Sequence, residues 1–199
     1  MAAVTAVAAA ATRRSRQQTG QRGTTLVEVL VTMLMIAFGL LGLGGLQMRL
    51  QLSDMESYQR AQALALLEDM ANRIAVNRAL AATYVTGASS PLGTGMTCPA
   101  TSATVQQTDT AQWCSALQGA AEKLGNSKAG AAVGARGCIE NIGANQYLIT
   151  VAWQGLTPIS APAVAVACGA GLYDTAGSAC TGDLCRRTAT TVVNIATLN

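Results

Sequence analysis

The sequence predicts an α+β protein in which a long N-terminal helix, membrane-spanning in its first half, packs on a small antiparallel sheet with a disulfide-stapled C-terminal head. Residues 24–46 are almost entirely apolar, and a stretch without Gly or Pro continues from residue 46 to residue 86. Alternating apolar residues, typical of strands, follow later in the chain. All six cysteines lie after residue 97, which indicates disulfides formed in an oxidising compartment.

The composition argues against several classes of function. The chain of 199 residues contains no His, so it lacks the commonest general base and the commonest metal ligand. It has neither a serine-hydrolase motif nor paired acids in its second half. We therefore expect no enzymatic activity, no catalytic residues, no cofactor and no metal.

The charge is unevenly distributed along the chain. The formal net charge is +3, but residues 1–23 hold four arginines and no acid. The remainder has nine Lys or Arg against ten Asp or Glu, so nucleic-acid binding is not expected. By the positive-inside rule the basic end stays in the cytoplasm and the rest of the chain lies outside it.

Four segments are predicted in chain order. Residues 1–23 form a basic cytoplasmic leader, and residues 24–46 form a transmembrane helix, since a span needs about 20 mostly apolar residues. Residues 47–82 continue as an amphipathic helix, and residues 83–199 form a periplasmic α+β head.

The amphipathic helix has an apolar stripe and two favourable ion pairs. Its apolar residues recur with helical spacing, which predicts burial against the chain's own sheet: Leu67, Met70, Ala71 and Ile74. Opposite charges four residues apart favour the pairs Glu56–Arg60 and Asp69–Arg73.

Further elements are predicted in the head. A turn-rich loop covers Gly87–Gly95, and a second helix covers Asp109–Leu124. One face of that helix carries the apolar residues Trp113, Leu117, Ala120, Ala121 and Leu124. Alternation predicts a half-buried strand over Gln146–Trp153, with Tyr147, Ile149, Val151 and Trp153 on one side. Ala163–Cys168 and Arg187–Ile195 are further strand candidates, and Trp113 and Trp153 are predicted core residues.

The cysteines do not have the spacing of a zinc site, because no C-x-x-C occurs. Six cysteines admit many disulfide pairings. The set that we expect is Cys98–Cys114, Cys138–Cys168 and Cys180–Cys185.

The junction Gly23-Thr24-Thr25-Leu26-Val27-Glu28 precedes the apolar run directly. A secretory signal would need a small-residue cleavage site after that run, and Gln47-Met48-Arg49 does not provide one. An uncleaved anchor leaves Glu28 unexplained, since an acid at the centre of a span costs about 2.5–3.5 kcal/mol. A third interpretation, processing before the apolar run, accounts for the arginines, the glycine and the acid together. The simpler alternative for Glu28 is an acid placed near the positive end of the helix dipole.

This junction resembles the type III signal of type IV pilins and pseudopilins. The resemblance implies cleavage after Gly23 by a membrane-embedded prepilin peptidase and methylation of the new amine of Thr24. It also implies that Glu28 sets subunit register by pairing with the N-terminal amine of a neighbouring subunit. Thr24 stands where pilins usually have Phe or another bulky apolar residue.

The residues after the junction, EVLVTMLMIAFGLLGLGGLQ, and the later segments ARGCIE, YLITVAWQGLTP, ACGAGLY and CRR are similar to the PilV family of minor pilins, the type IV pilus modification proteins. That likeness implies a type IV pilin-like fold. It also implies a subunit of the inner membrane and then of the extracellular pilus, in a tip or priming complex that promotes assembly, twitching motility and adhesion. The implied partners are other minor pilins, the major pilin, the prepilin peptidase and the inner-membrane assembly platform. The alternative is a minor pseudopilin of a type II secretion system.

Three other features admit two interpretations each. Asp174 and Asp183 are calcium ligands or, by preference, solvated loop acids, since a calcium site needs six to eight oxygens. Arg186 and Arg187 bind DNA or a surface ligand or, by preference, are solvated or salt-bridged. A cluster of glycines ends the apolar run and indicates either close packing between membrane helices or a section that loosens on assembly: Gly39, Gly42, Gly44 and Gly45.

Overall fold

The structure is a computed structural model that describes residues 23, 25–100, 103–120, 123–125, 127–128, 130 and 132–196. The chain divides into two compact units, Met1–Leu46 and Gln47–Asn199. Residues 1–22 of the predicted leader, and Thr24, lie outside the described residues.

Helix α1 covers Leu26–Val76 and includes both the apolar and the amphipathic segments. It is the one helix in the described part of the chain that is long and apolar enough to cross a membrane. It ends at Val76 and not at residue 82 as predicted, because Asn77 leaves the helical region with φ −97° and ψ 40°. A 3₁₀ segment, Arg78–Tyr84, follows and carries Tyr84 into the core, where this residue is 1% exposed.

One face of α1 is buried in the second unit. The buried residues are spaced three or four apart: Gln59, Ala63, Leu67, Met70 and Ile74. The last four belong to one hydrophobic cluster with Tyr147, Ile149, Val151 and Trp153 of the sheet, and Ala71 is partly buried against it. The predicted stripe and its burial against the chain's own sheet are therefore confirmed.

Helix α2 covers Val105–Leu117, so the predicted range Asp109–Leu124 was wrong at both ends. It begins earlier because the Thr104 hydroxyl caps it, accepting a hydrogen bond from the Gln107 amide. It ends earlier because Gly119 has a φ of +85°, a left-handed conformation that terminates helices. Trp113 and Leu117 are buried as predicted. Ala120 and Leu124 lie beyond the end of the helix, and Ala121 is outside the described residues.

A four-stranded antiparallel sheet has the order β1-β4-β5-β6, and a separate pair joins β2 and β3. The strands are β1 Leu92–Gly93, β2 Lys123–Leu124, β3 Ser127–Lys128, β4 Arg136–Gly143, β5 Gln146–Gln154 and β6 Arg186–Asn194. Strands β5 and β6 occupy the predicted positions. Together with α1 and α2, the sheet confirms an α+β architecture.

Strand β5 is buried on both faces over residues 149–153, and not on one face as predicted. The odd-numbered side joins the α1 cluster. On the other side Thr150 is fully buried, and Ala152 packs with Cys138, Cys168 and Tyr173. The loop after β5 covers this second face, and alternation within β5 could not reveal that cover.

The predicted strand Ala163–Cys168 was wrong, and β4 was not predicted. Residues 163–168 are turns and irregular backbone. The carbonyls of Val166 and Cys168 accept hydrogen bonds from the buried Arg186 guanidinium at 2.7 and 3.1 Å. These carbonyls thus accept hydrogen bonds from a side chain, whereas in a strand they would accept them from the amides of a neighbouring strand. Strand β4 contains two glycines, Glu140 and Asn141, residues of weak strand propensity.

Three disulfides join the six cysteines in the pairs that the sequence led us to expect. Cys98–Cys114 ties a loop to α2, and Cys138–Cys168 ties β4 to the loop on the second face. Cys180–Cys185 closes the turn that leads into β6.

Candidate processing and assembly site

The junction at the start of α1 has a defined local structure. Gly23 is exposed, and a Cβ added to it would meet nothing within 4 Å. The Glu28 amide donates to the Thr25 carbonyl at 3.0 Å and to the Thr25 hydroxyl at 3.3 Å. Thr25 therefore caps the helix, in the Thr-x-x-Glu pattern of a capping box. The Gly23–Thr24 bond precedes this cap, and Thr24 itself lies outside the described residues.

Glu28 is in the first turn of α1, where a negative charge interacts favourably with the helix dipole. Every described residue from 25 to 50 is exposed. Between residues 26 and 48 Glu28 is the sole charged residue. An exposed apolar surface of this extent marks a membrane or protein contact, and Glu28 lies at its start.

The glycines at the end of the apolar run are helical and open. Gly39, Gly42, Gly44 and Gly45 all lie within α1, and a Cβ at any of them would meet nothing within 4 Å. Because no described residue packs against these positions, the close-packing and loosening interpretations both remain predictions.

A polar network joins the end of α1 to α2 in the second unit. The Arg73 guanidinium contacts Asp69 at 3.0 Å and Asp109 at 2.7 Å, so the predicted Asp69–Arg73 pair is confirmed. Asp109 also accepts a hydrogen bond from the Tyr84 hydroxyl, which in turn accepts one from Asn77. Burial lowers the Arg73 pKa, but hydrogen bonds to the two carboxylates outweigh it, and the net pKa is raised. Burial and the hydrogen bond to Asp109 raise the pKa of Tyr84.

The predicted Glu56–Arg60 pair was wrong. Glu56 contacts Arg187 of β6 at 3.4 Å and accepts a hydrogen bond from the Leu156 amide at 3.3 Å. Arg187 lies opposite Trp153 in the pairing of β6 with β5. Residue spacing along a helix does not reveal a contact between that helix and a strand so distant in the sequence. These two residues and Arg60 line a cleft of about 420 Å³.

The acids and arginines of the last loop have structural roles. Asp174 accepts hydrogen bonds from the amides of Gly182 and Asp183, and Asp183 from the Gly171 amide. Asp174 is exposed and Asp183 is half-buried. The preferred interpretation as a solvated loop acid is therefore confirmed for Asp174, and both carboxylates also bind backbone amides of the loop. Asp183 also pairs with Arg186 at 3.1 Å, which confirms the preferred interpretation of the arginines. In the described part of the chain, no three His, Cys, Asp or Glu side chains lie close enough to hold a metal ion.

The two tryptophans belong to the core, as predicted. Trp113 is fully buried and Trp153 is 4% exposed. The Trp113 indole donates to the Leu66 carbonyl at 2.9 Å, which fixes α2 against α1.

No family model, curated protein or solved structure matches this chain. Function is therefore inferred from its own residues. Those that carry the inference are Gly23, Glu28 and the exposed apolar face of α1.

Proposed function

We propose that this chain is a minor pilin of the type IV pilus, similar to the PilV family. In this proposal the prepilin peptidase cuts after Gly23, and α1 holds the chain in the inner membrane with its head in the periplasm. The assembly platform then builds it into the filament with other minor pilins and the major pilin. There it promotes pilus assembly, twitching motility and adhesion as a non-enzymatic subunit.

The observation that carries the proposal is the isolated carboxylate of Glu28 at the start of an exposed apolar helix. Cleavage after Gly23 would remove the four arginines and create a cationic amine on Thr24, four residues before Glu28. An unpaired charge in apolar surroundings is heavily penalised. Pairing of Glu28 with the amine of a neighbouring subunit would relieve both charges and fix the axial position of one helix against the next.

The first experiment measures the intact mass of the protein extracted from membranes. We expect the wild type to lack residues 1–23 and Gly23→Ala to retain them. Gly39→Ala is the matched control, because Gly39 also has open space at its Cβ and lies away from the junction; it should be cleaved normally. A wild-type protein that keeps its arginine leader contradicts the proposal.

The second experiment concerns assembly. Glu28→Gln should be cleaved normally but strongly depleted from filaments sheared off the cell surface. Glu68→Gln, an exposed acid of the same helix, should be incorporated like the wild type. Equal incorporation of the two variants would refute the registering role of Glu28.

A minor pseudopilin of a type II secretion system would share the junction and the helix. The two functions differ in where the assembled chain is found. Recovery of the chain in sheared surface pili supports the pilus, and its confinement to the cell envelope with loss of protein secretion on deletion supports the secretion system.

A further inference from the structure

A cleft of about 420 Å³ lies in the second unit, where α1 meets the sheet. Helix α1 contributes Glu56 and Arg60 to its lining, and β6 contributes Arg187. Trp153 of β5 and Ile159 of the loop after β5 supply apolar surface. A cavity of this size is in the range that small organic ligands occupy. We call it the Arg60 cleft.

Hydrogen bonds fix one wall of the Arg60 cleft. The Ile159 amide donates to the Leu184 carbonyl at 2.9 Å. The Arg187 guanidinium donates to the Thr157 carbonyl at 2.6 Å and to the Leu184 carbonyl at 3.1 Å. Gly155 leaves space for this guanidinium, since a Cβ at Gly155 would lie 2.7 Å from its central carbon. The wall is therefore formed without a ligand, which lowers the cost of ordering it on binding.

The charges of the Arg60 cleft do not balance. Glu56 is 3.4 Å from the Arg187 guanidinium, so these two charges compensate each other. Arg60 is exposed and forms no ion pair with the residues that the structure describes. The lining thus has two cations and one carboxylate, a net charge of +1. One further carboxylate would neutralise the cleft, whereas a phosphate dianion would leave it negative beside Glu56.

The other groups of the cleft also suit a carboxylate on an apolar body. Guanidinium groups bind carboxylates through two parallel hydrogen bonds, and Ser57 and Thr188, which line the same cleft, add hydroxyl groups. Trp153 and Ile159 add apolar area that a bare inorganic anion would not use. We propose that the Arg60 cleft binds an organic carboxylate with an apolar side group, either a free acid or the C-terminus of a peptide. This binding site goes beyond the proposed function and is independent of it.

Nuclear magnetic resonance titration of the full chain in detergent tests the site, with N-acetyl-leucine as the probe. The backbone amide signals of Ser57, Ile159 and Thr188 should shift with one common Kd, on the order of 1 mM or below. N-acetyl-leucinamide has the same apolar group without the charge and should bind about fivefold or more weakly. Equal binding of the acid and the amide, or no saturable shift at these three residues, overturns the proposal.

Variants with opposite expected effects separate recognition of the charge from folding. Arg60→Gln should raise the Kd about fivefold or more, whereas Arg78→Gln, at an exposed arginine outside the cleft lining, should leave it unchanged. Glu56→Gln removes the negative charge but keeps an oxygen that can accept the hydrogen bond from the Leu156 amide, so it should lower the Kd. Wild-type affinity in Arg60→Gln contradicts the proposal, and so does weaker binding by folded Glu56→Gln.

Two further probes identify the ligand within this chemistry. Inorganic phosphate should bind the wild type more weakly than N-acetyl-leucine and should gain affinity in Glu56→Gln. Phosphate that binds the wild type more tightly than the acid overturns the choice of a carboxylate. The last probe is an N-acetylated tripeptide that ends in leucine with a free carboxylate. Tighter binding of this peptide than of N-acetyl-leucine assigns the cleft to a chain terminus, and equal or weaker binding assigns it to a free acid.

Discussion

Gly137 of β4 is a residue whose small size the core requires. A Cβ added there would overlap the Trp113 ring and lie 2.8 Å from the Leu117 side chain. Because both neighbours are fully buried, neither has space into which to move. The sequence contains both residues, but it does not indicate that Trp113 packs against Gly137.

We predict that Gly137→Ala lowers the free energy of unfolding by about 1–3 kcal/mol, the usual effect of overpacking. Denaturant unfolding of the full chain in detergent measures it. Gly143→Ala, in the same strand, is the control, because its Cβ would meet only the end of the Gln146 side chain at 3.3 Å. Equal effects of the two variants would show that β4 tolerates a side chain at residue 137.

Two buried tyrosines predict a loss of stability at alkaline pH. Burial raises the pKa of Tyr84, helped by its hydrogen bond to Asp109. Burial also raises the pKa of Tyr173, although a hydrogen bond with Arg136 opposes the shift. The folded state therefore holds these protons more tightly than the unfolded chain. Their contribution to stability is complete below the ordinary tyrosine pKa of 10.0 and is lost as pH rises through the folded values.

Unfolding free energies measured from pH 8 to 11 check this prediction. The wild type should lose stability above about pH 10, and the double variant Tyr84→Phe/Tyr173→Phe should lose less over the same range. Parallel curves for the two proteins would exclude the tyrosines as the cause.

At the scale of elements, Arg73 connects the end of α1 to α2. It is 24% exposed in its side chain and contacts Asp69, Asp109 and Gln112. Arg73→Gln should reduce stability by about 1–3 kcal/mol, because hydrogen bonds to charged groups contribute this much and Asp109 would lose its cationic partner. Thermal unfolding measures the loss, and Arg60→Gln, an exposed arginine of the same helix, should change little. High salt should also lower the stability of the wild type, because it screens these ion pairs. A wild-type stability that does not change with salt would argue against an ionic origin.

The disulfides should differ in their contribution to stability. Cys138–Cys168 closes a separation of 30 residues and Cys180–Cys185 one of 5. In the chain-entropy model the longer loop gives the larger stabilisation, by about 1–2 kcal/mol. Double alanine variants of each pair, compared in denaturant, test this order. A greater loss in the Cys180–Cys185 variant would show that the short bridge acts mainly through the native state.

Elements with a strong local pattern could be predicted, and those set by distant contacts could not. Alternation located β5 and helical spacing located the buried face of α1. Residues 163–168 have an apolar pattern suited to a strand, yet they bind Arg186 from a segment about twenty residues further on. The early end of α2 had a visible signal in Gly119, whose positive φ stops the helix.

The residues of the candidate site lie close together in the sequence, so the sequence alone indicates them, and their function stays a prediction. Glu28 stands out as the one charge at the head of an apolar run, and spacing relates it to Gly23. The cap by Thr25 was missed, although its Thr-x-x-Glu pattern was visible. The Glu56–Arg187 contact was also missed, since it joins residues 131 positions apart. Such a pair follows from the position of β6 in the sheet and not from any repeat in the sequence.

At the scale of the whole molecule, the exposed leucines of α1 lie in two different environments. Leu34 and Leu64 are exposed to nearly the same extent, 49% and 46%. Leu34 lies in the apolar run, where every residue is exposed, whereas Leu64 lies beside the buried stripe of the second unit. If the first part of α1 is the membrane anchor, a charged residue should therefore weaken membrane retention at Leu34 but not at Leu64, although the two leucines are equally exposed.

We predict that Leu34→Arg/Phe38→Arg releases the chain from membranes and that Leu50→Arg/Leu64→Arg does not. Each arginine near the centre of a span costs about 2.5–3.5 kcal/mol on translocon scales, and two together should exceed what the remaining apolar residues supply. The fraction of chain left in the membrane pellet after alkaline carbonate extraction measures the effect. Release of both variants alike would mean that arginines weaken retention wherever they stand on α1. Retention of both would mean that residues 26–46 do not lie in the hydrocarbon, because two central charges would then be tolerated without loss.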